Sequence, residues 1–98
     1  MPKFSAESYD AERVAEFLTE RGLRHLRARR RADVVTIESG AATDPFPRAR
    51  LRRVAVHIWR LEMATRSGRW DVTPFRASLD ELLLLLVNTF PWTLQPVD

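Results

Sequence analysis

Apolar residues recur every three or four positions at the two ends of this chain and alternate with polar ones through its middle. That change of period dictates an order of elements: helix, strands, helix. In SYDAERVAEFLTERGL, Ala11, Val14, Phe17 and Leu18 fall on one helical face, with Glu12, Glu16 and Glu20 mostly opposite. Gly22 stops this helix by accepting the left-handed C′ conformation, and Leu23 then reaches back to Leu18. At the other end, Ser78 and Glu81 form a capping box, and Leu79, Leu82, Leu83, Leu86 and Phe90 make a core stripe. Pro91 ends the second helix because its ring cannot continue it.

Between the helices, RARRRADVV reads as a hairpin turning at Arg31-Ala32 or over a slightly longer RRAD. Strand alternation then places Leu26, Ala28, Val35 and Ile37 on one face, and His25, Arg27, Arg29, Val34, Thr36 and Glu38 on the other. SGAATDPFPRAR, broken by Gly40, Pro45 and Pro47, reads as an extended linker. RLRRVAVHIWRLEM, rich in branched and aromatic residues, reads as the third strand, and RWDVT returns as the fourth after a TRSG turn. With Thr65 to Gly68 as the loop, Met63 faces Trp70 and Leu61 faces Val72, and Ala55, His57 and Trp59 share that side.

The expected fold is α+β: an N-terminal helix, a four-stranded antiparallel meander and a C-terminal helix, in one domain over residues 1–98. Both helices lie on one sheet face, over Leu26, Ile37, Trp59, Leu61 and Trp70.

Composition narrows the function classes. The 98 residues include no cysteine, which excludes disulfides, thiolate metal sites and cysteine nucleophiles. The opening MPKFSAESYD lacks the pattern of a secretory signal, and the longest apolar run, Leu82 to Val87, is far short of the ~18 residues of a membrane span. A cytoplasmic protein without a membrane partner is expected. Charge is uneven: residues 1–20 carry two basic and five acidic side chains, whereas residues 21–60 carry eleven arginines against three acids.

A sheet covered by helices on one side should be polar on the other. The alternation instead places Val34, Val54, Val56 and Ile58 there, ringed by Arg27, Arg29, Arg52 and Arg60. An apolar patch with a polar rim marks a partner surface. The alternatives are a β-bulge near Arg53 that shifts part of the strand, or a fold of the C-terminal FPWTLQPVD over the patch. Leu84 and Leu85 exceed the apolar positions one core stripe needs, so they either lie under that tail or dock a second subunit. The expectation is a non-catalytic interaction module that self-associates or takes a protein partner through Val34, Val54, Val56, Ile58, Arg52, Arg60, Leu84 and Leu85.

No motif names a reaction, and no catalytic residue, metal ligand set or cofactor is assigned. His25 and His57 fall on opposite faces without clustered ligands. Ser39, Ser67 and Ser78 lie in turn or cap contexts, and the three glycines form no phosphate-binding loop. The alternative to a protein-docking module is a nucleic-acid-binding one using Arg24, Arg27, Arg29, Arg30 and Arg31. Against it, sheet platforms that bind RNA stack bases on exposed aromatics, and here the tryptophans are expected on the core face. A third reading is a metal-independent ribonuclease-like toxin using Arg27, Arg29, Arg52 and His25.

Residues Ala49, Arg50, Trp59, Arg60, Leu61, Arg69 and Trp70, followed by Leu79 to Leu83, resemble the pattern of a family of small bacterial proteins of unknown function. Its layout is a leading helix, a hairpin, a W-[KR]-L strand, a basic-Trp pair and an acidic helix. Glu62 and Met63 stand where that family usually has an aromatic pair. The resemblance implies the α+β fold and carries no function with it.

Overall fold

The computed structural model describes residues 4–96; Lys3, the only lysine, and the end of the C-terminal segment lie outside the described residues. The chain runs α1 (Ser8–Glu20), β1 (Arg27–Arg31), β2 (Val34–Ala41), β3 (Asp44–Ala55), β4 (Ile58–Ala64), β5 (Trp70–Ala77), α2 (Leu79–Thr89) and a 3-10 turn at Pro91–Leu94. The strands form one antiparallel sheet in the order β1-β2-β3-β4-β5. The class is α+β as expected, with five strands where the sequence suggested four.

The helix ends follow from local chemistry. The Glu7 and Asp10 side chains cap the start of α1 reciprocally. At its end Gly22 has φ +74°, and the Leu23 N–H donates to the Leu18 carbonyl at 2.9 Å, the Schellman closure. The hydroxyl of Ser78 accepts from the Glu81 N–H, and the Glu81 carboxylate returns the contact, so α2 begins at Leu79.

The extra strand has two sources. The expected linker is paired chain: Gly40 and Ala41 end β2, Ala42 and Thr43 turn, and Asp44 begins β3. Pro45 and Pro47 are tolerated because β3 meets β4 only from Ala49 onward, so this half of β3 is an edge on that side. The expected single strand RLRRVAVHIWRLEM is a hairpin. Ala55 pairs with Ile58 across Val56 and His57, so His57 is an exposed turn residue and not a core one.

Val14 and Leu18 of α1, Val35, Ile37, Leu51, Trp59 and Leu61 of the sheet, and Leu82, Leu83 and Leu86 of α2 are all buried in one cluster. Burial of that order, at ~1.5–3 kcal/mol per large side chain, is what holds so short a chain together. The C-terminal turn closes the same side, not the opposite one: Leu94 is buried, and its carbonyl lies 2.7 Å from His25 Nε2. Arg48, buried and without a carboxylate partner among the described residues, donates to the carbonyls of Thr93 and Gln95 and to the Ser39 hydroxyl. Burial lowers the Arg48 pKa from its ordinary value. Among the described residues no helix is long and apolar enough to cross a membrane.

Candidate binding face of the sheet

The face away from the helices is richer in charged side chains than the alternation suggested. Its side chains lie in rows that cross the strands. One row runs Arg31, Val34, Arg52, Arg60, Arg76 from β1 to β5; the next runs Arg29, Thr36, Arg50, Glu62, Val72. Arg27 and Glu38 begin a third. Seven arginines and three carboxylates (Asp33, Glu38, Glu62) belong to this surface. The rest of the chain then holds nine basic and ten acidic side chains, so this surface carries more than the whole net charge of +3.

Two of the carboxylates are buried on this outer face at 1% exposure each, and both organise arginines. Glu62 Oε2 accepts from Arg60 Nη2 at 2.7 Å and from Arg60 Nε and Arg52 Nε at 3.1 Å. Its other oxygen accepts from Arg50 Nε. Burial pushes the Glu62 carboxyl up, but the hydrogen bonds from Arg60, Arg50 and Arg52 outweigh it and hold the group below the ordinary carboxylate value. Arg52 is further fixed by both oxygens of Asp33, at 2.9 and 2.8 Å. Burial lowers the Arg52 pKa, and the bonds to Asp33 and Glu62 more than restore it.

Glu38 is served differently. Arg27 donates to its Oε2 through Nε and Nη2 at 3.1 and 2.7 Å, and Arg27 also reaches the carbonyls of Gly40 and Ala41. Oε1 has no hydrogen bond among the described residues, although Arg29 Nε lies 3.1 Å from it in an unaligned ionic contact.

Trp70 is the main correction to the expected placement. The β4–β5 loop closes with the Thr65 N–H donating to the Arg69 carbonyl, one residue later than Gly68, so Ala64 pairs with Trp70 and Met63 with Asp71. A register shift of one residue moves every side chain of a strand to the other face. Trp70 and Val72 therefore leave the core side, and the Arg50 guanidinium lies 4.3 Å from the centroid of the Trp70 ring.

These residues line a cleft of about 450 Å³ whose walls are Arg29, Arg31, Arg50, Arg52, Glu38 and Trp70, with Val34, Pro45 and Pro47. Among the described residues the terminal nitrogens of Arg29 and Arg50, and the whole Arg31 guanidinium, carry no hydrogen bond. Guanidinium donors of this kind suit an anion's oxygens.

The candidates read from sequence are thus divided. Arg52 and Arg60 sit in the carboxylate network; Arg27, Arg29 and Arg31 share the face with them. Arg30 points to the helix side and donates to the Ala6 carbonyl at 3.1 Å, and Arg24 precedes β1 in an exposed turn. Val34 lines the cleft half-buried, Val54 is half-buried at a bulge, Ile58 is partly exposed, and Val56 lies in the β3–β4 turn. Val56 and Ile58 are among the exposed large hydrophobic side chains. Leu85 packs against the core, and Leu84 is 43% exposed. His25, expected among the outer arginines, is instead tied to the C-terminal turn. Glu62 and Trp70 were missed as site residues. The signal for Glu62 was available: a lone carboxylate alternating in register with arginines on the strands beside it.

Among the described residues no group of three or more His, Cys, Asp or Glu is placed to hold a metal ion. No family model, curated protein or solved structure matches the chain, so the meaning of this face rests on its own geometry.

Proposed function

We propose that the protein is a non-catalytic binding module whose working surface is the outer sheet face, and that it engages an anionic macromolecule there. The supporting observation is the combination of buried Glu38 and Glu62 with seven arginines: the carboxylates hold Arg27, Arg50, Arg52 and Arg60 in place, while Arg29, Arg31 and Arg50 keep free donors toward one cleft. Of these, Arg50 is held by Glu62, and a preorganised donor loses little freedom on binding. Retention on immobilised heparin tests the reading. The double substitution Arg29→Glu, Arg31→Glu should elute at much lower salt than Arg66→Glu, Arg69→Glu, which changes net charge equally in the β4–β5 loop. Equal elution of the two variants overturns it.

A second reading, self-association, is favoured by the far edge of the molecule. Phe75, Phe90 and Trp92 form an edge-to-face series at 6.0 and 5.7 Å beside the open edge of β5, with Trp92 66% exposed. Light scattering decides it: a mass above 11.4 kDa that falls on Trp92→Ser supports a dimer, and a monomeric mass removes it.

A further inference from the structure

The cleft has a direction as well as a charge. The row Arg31, Arg52, Arg60, Arg76 crosses the sheet from its first strand to its last, at right angles to the strands. Four inter-strand steps span about 19 Å at the usual spacing of ~4.8 Å. Beside this row, in the cleft, the flat Arg50 guanidinium rests on the Trp70 ring. A charged track next to a planar platform is a pairing with a specific complement: a chain of regularly spaced anions that also carries flat rings.

We infer that the anionic partner is single-stranded nucleic acid, its phosphodiester backbone lying along the arginine row and one base stacking on the Arg50–Trp70 platform. This rests on the reading of the outer face as an anion-binding surface and names the partner. Guanidinium groups match phosphate oxygens through paired N–H donors, and unpaired bases stack on aromatic rings and on arginine planes. A single strand is favoured because a base inside a duplex would first have to be unpaired and unstacked to reach a platform set in a cleft wall. An acidic polypeptide would satisfy the arginines but would leave the platform without a flat partner. Arg29 and Arg31, with free donors, make the first phosphate contacts, while Arg52 and Arg60 add charge from within the Glu62 network.

Fluorescence anisotropy tests this with the full chain and four labelled probes: a 12-nucleotide single-stranded RNA, the matching single-stranded DNA, a duplex of that sequence, and an oligoglutamate peptide. Single strands should bind more tightly than the duplex. Contact with about four phosphates at a slope of ~0.7 per contact lowers affinity about 50-fold between 50 and 200 mM salt. Arg31→Glu, at an exposed position with no partner to lose among the described residues, should lower affinity at least tenfold, and Arg66→Glu in the loop should change it little. Loss of base stacking in Trp70→Leu should cost about tenfold. Arg50→Lys keeps the charge, removes the plane and should give a similar loss, so the platform remains testable if Trp70→Leu does not fold. Oligoglutamate binding without oligonucleotide binding overturns this inference and leaves the anion-binding reading standing. Binding of none of the probes overturns both. Tighter binding to the duplex, or single-strand binding indifferent to Arg31→Glu and Arg50→Lys, also overturns the inference.

Discussion

Glu62 and Glu38 are both buried on the outer face of one sheet, both attended by arginines, and yet they do different things. Glu62 sits where β3, β4 and β5 meet, and both its oxygens accept from arginines on its own and the neighbouring strand. Glu38 sits nearer the edge, bonded through one oxygen to Arg27, while the other has only the unaligned Arg29 beside it. A buried carboxylate with every acceptor used is part of the framework, because removing it strands several cations at once. A buried carboxylate with an oxygen left over marks a place where the framework is open. The cleft lies at that place: its walls include Glu38 and Arg29. The contrast separates a carboxylate whose oxygens are all taken up by arginines from one that leaves an acceptor open beside the cleft, while the Glu62 arginines Arg50 and Arg52 also line that cleft.

The largest test of that contrast is to neutralise each glutamate in turn. Glu62→Gln keeps the shape but leaves Arg50, Arg52 and Arg60 without their shared anion, and should destabilise the domain by about 3 kcal/mol. For a domain of this size that is a fall in Tm of about 12 °C or more. Glu38→Gln removes one well-made ionic partner and should cost about 1 kcal/mol. Urea or thermal unfolding of the pair decides it, and equal losses would erase the distinction between the two sites.

Acid should act on the same asymmetry. The folded Glu62 carboxyl titrates below its ordinary value of 4.5, so its contribution is present in full at neutral pH and disappears as the pH falls below that value toward the folded one. Asp80, held down by its hydrogen bond from Arg13, titrates in the same sense but is largely exposed and contributes less. The stability of the native chain should therefore drop steeply below about pH 4.5 and approach that of Glu62→Gln, whose own curve is flatter. A constant gap between the two curves down to pH 3 would show that the carboxylate charge is not what stabilises this region.

Local signals were legible in the sequence and distant ones were not. Gly22, the Ser78–Glu81 box and Pro91 act within a few residues of where they stand, and they set both helix ends as expected. The first hairpin also sorted correctly, Ala28 opposite Ile37 inside and Arg27 opposite Glu38 outside, because the sorting survives a shift of the pairing by two residues. The turn at Val56 and His57 left no mark. It uses no Gly, Pro, Asn or Asp and no positive φ, and the branched residues around it read as uninterrupted strand. Pro45 and Pro47 misled in the opposite direction, breaking a segment that only its open edge allows to pair. The placement of Trp70 turned on one residue of loop length, Arg69, which no local preference specifies. From that single step came the aromatic that the sequence reading had left off the outer face.

The finest test compares two arginines on that face. Arg60 donates twice to Glu62 and is largely covered, so Arg60→Ala should cost about 1.5–3 kcal/mol, in the range of hydrogen bonds to a charged group. Arg29 is 57% exposed and makes only the unaligned contact with Glu38, so Arg29→Ala should change stability by less than about 0.5 kcal/mol. Its effect should fall instead on the affinity for a polyanion, where its free terminal nitrogens are in play. The two readouts should thus move in opposite order: Arg60→Ala mainly in the melting curve, Arg29→Ala mainly in the binding curve. If Arg29→Ala lowered the melting temperature as much as Arg60→Ala, the Glu38 region would be framework like its neighbour, and the open cleft would lose its claim to be the binding end of the sheet.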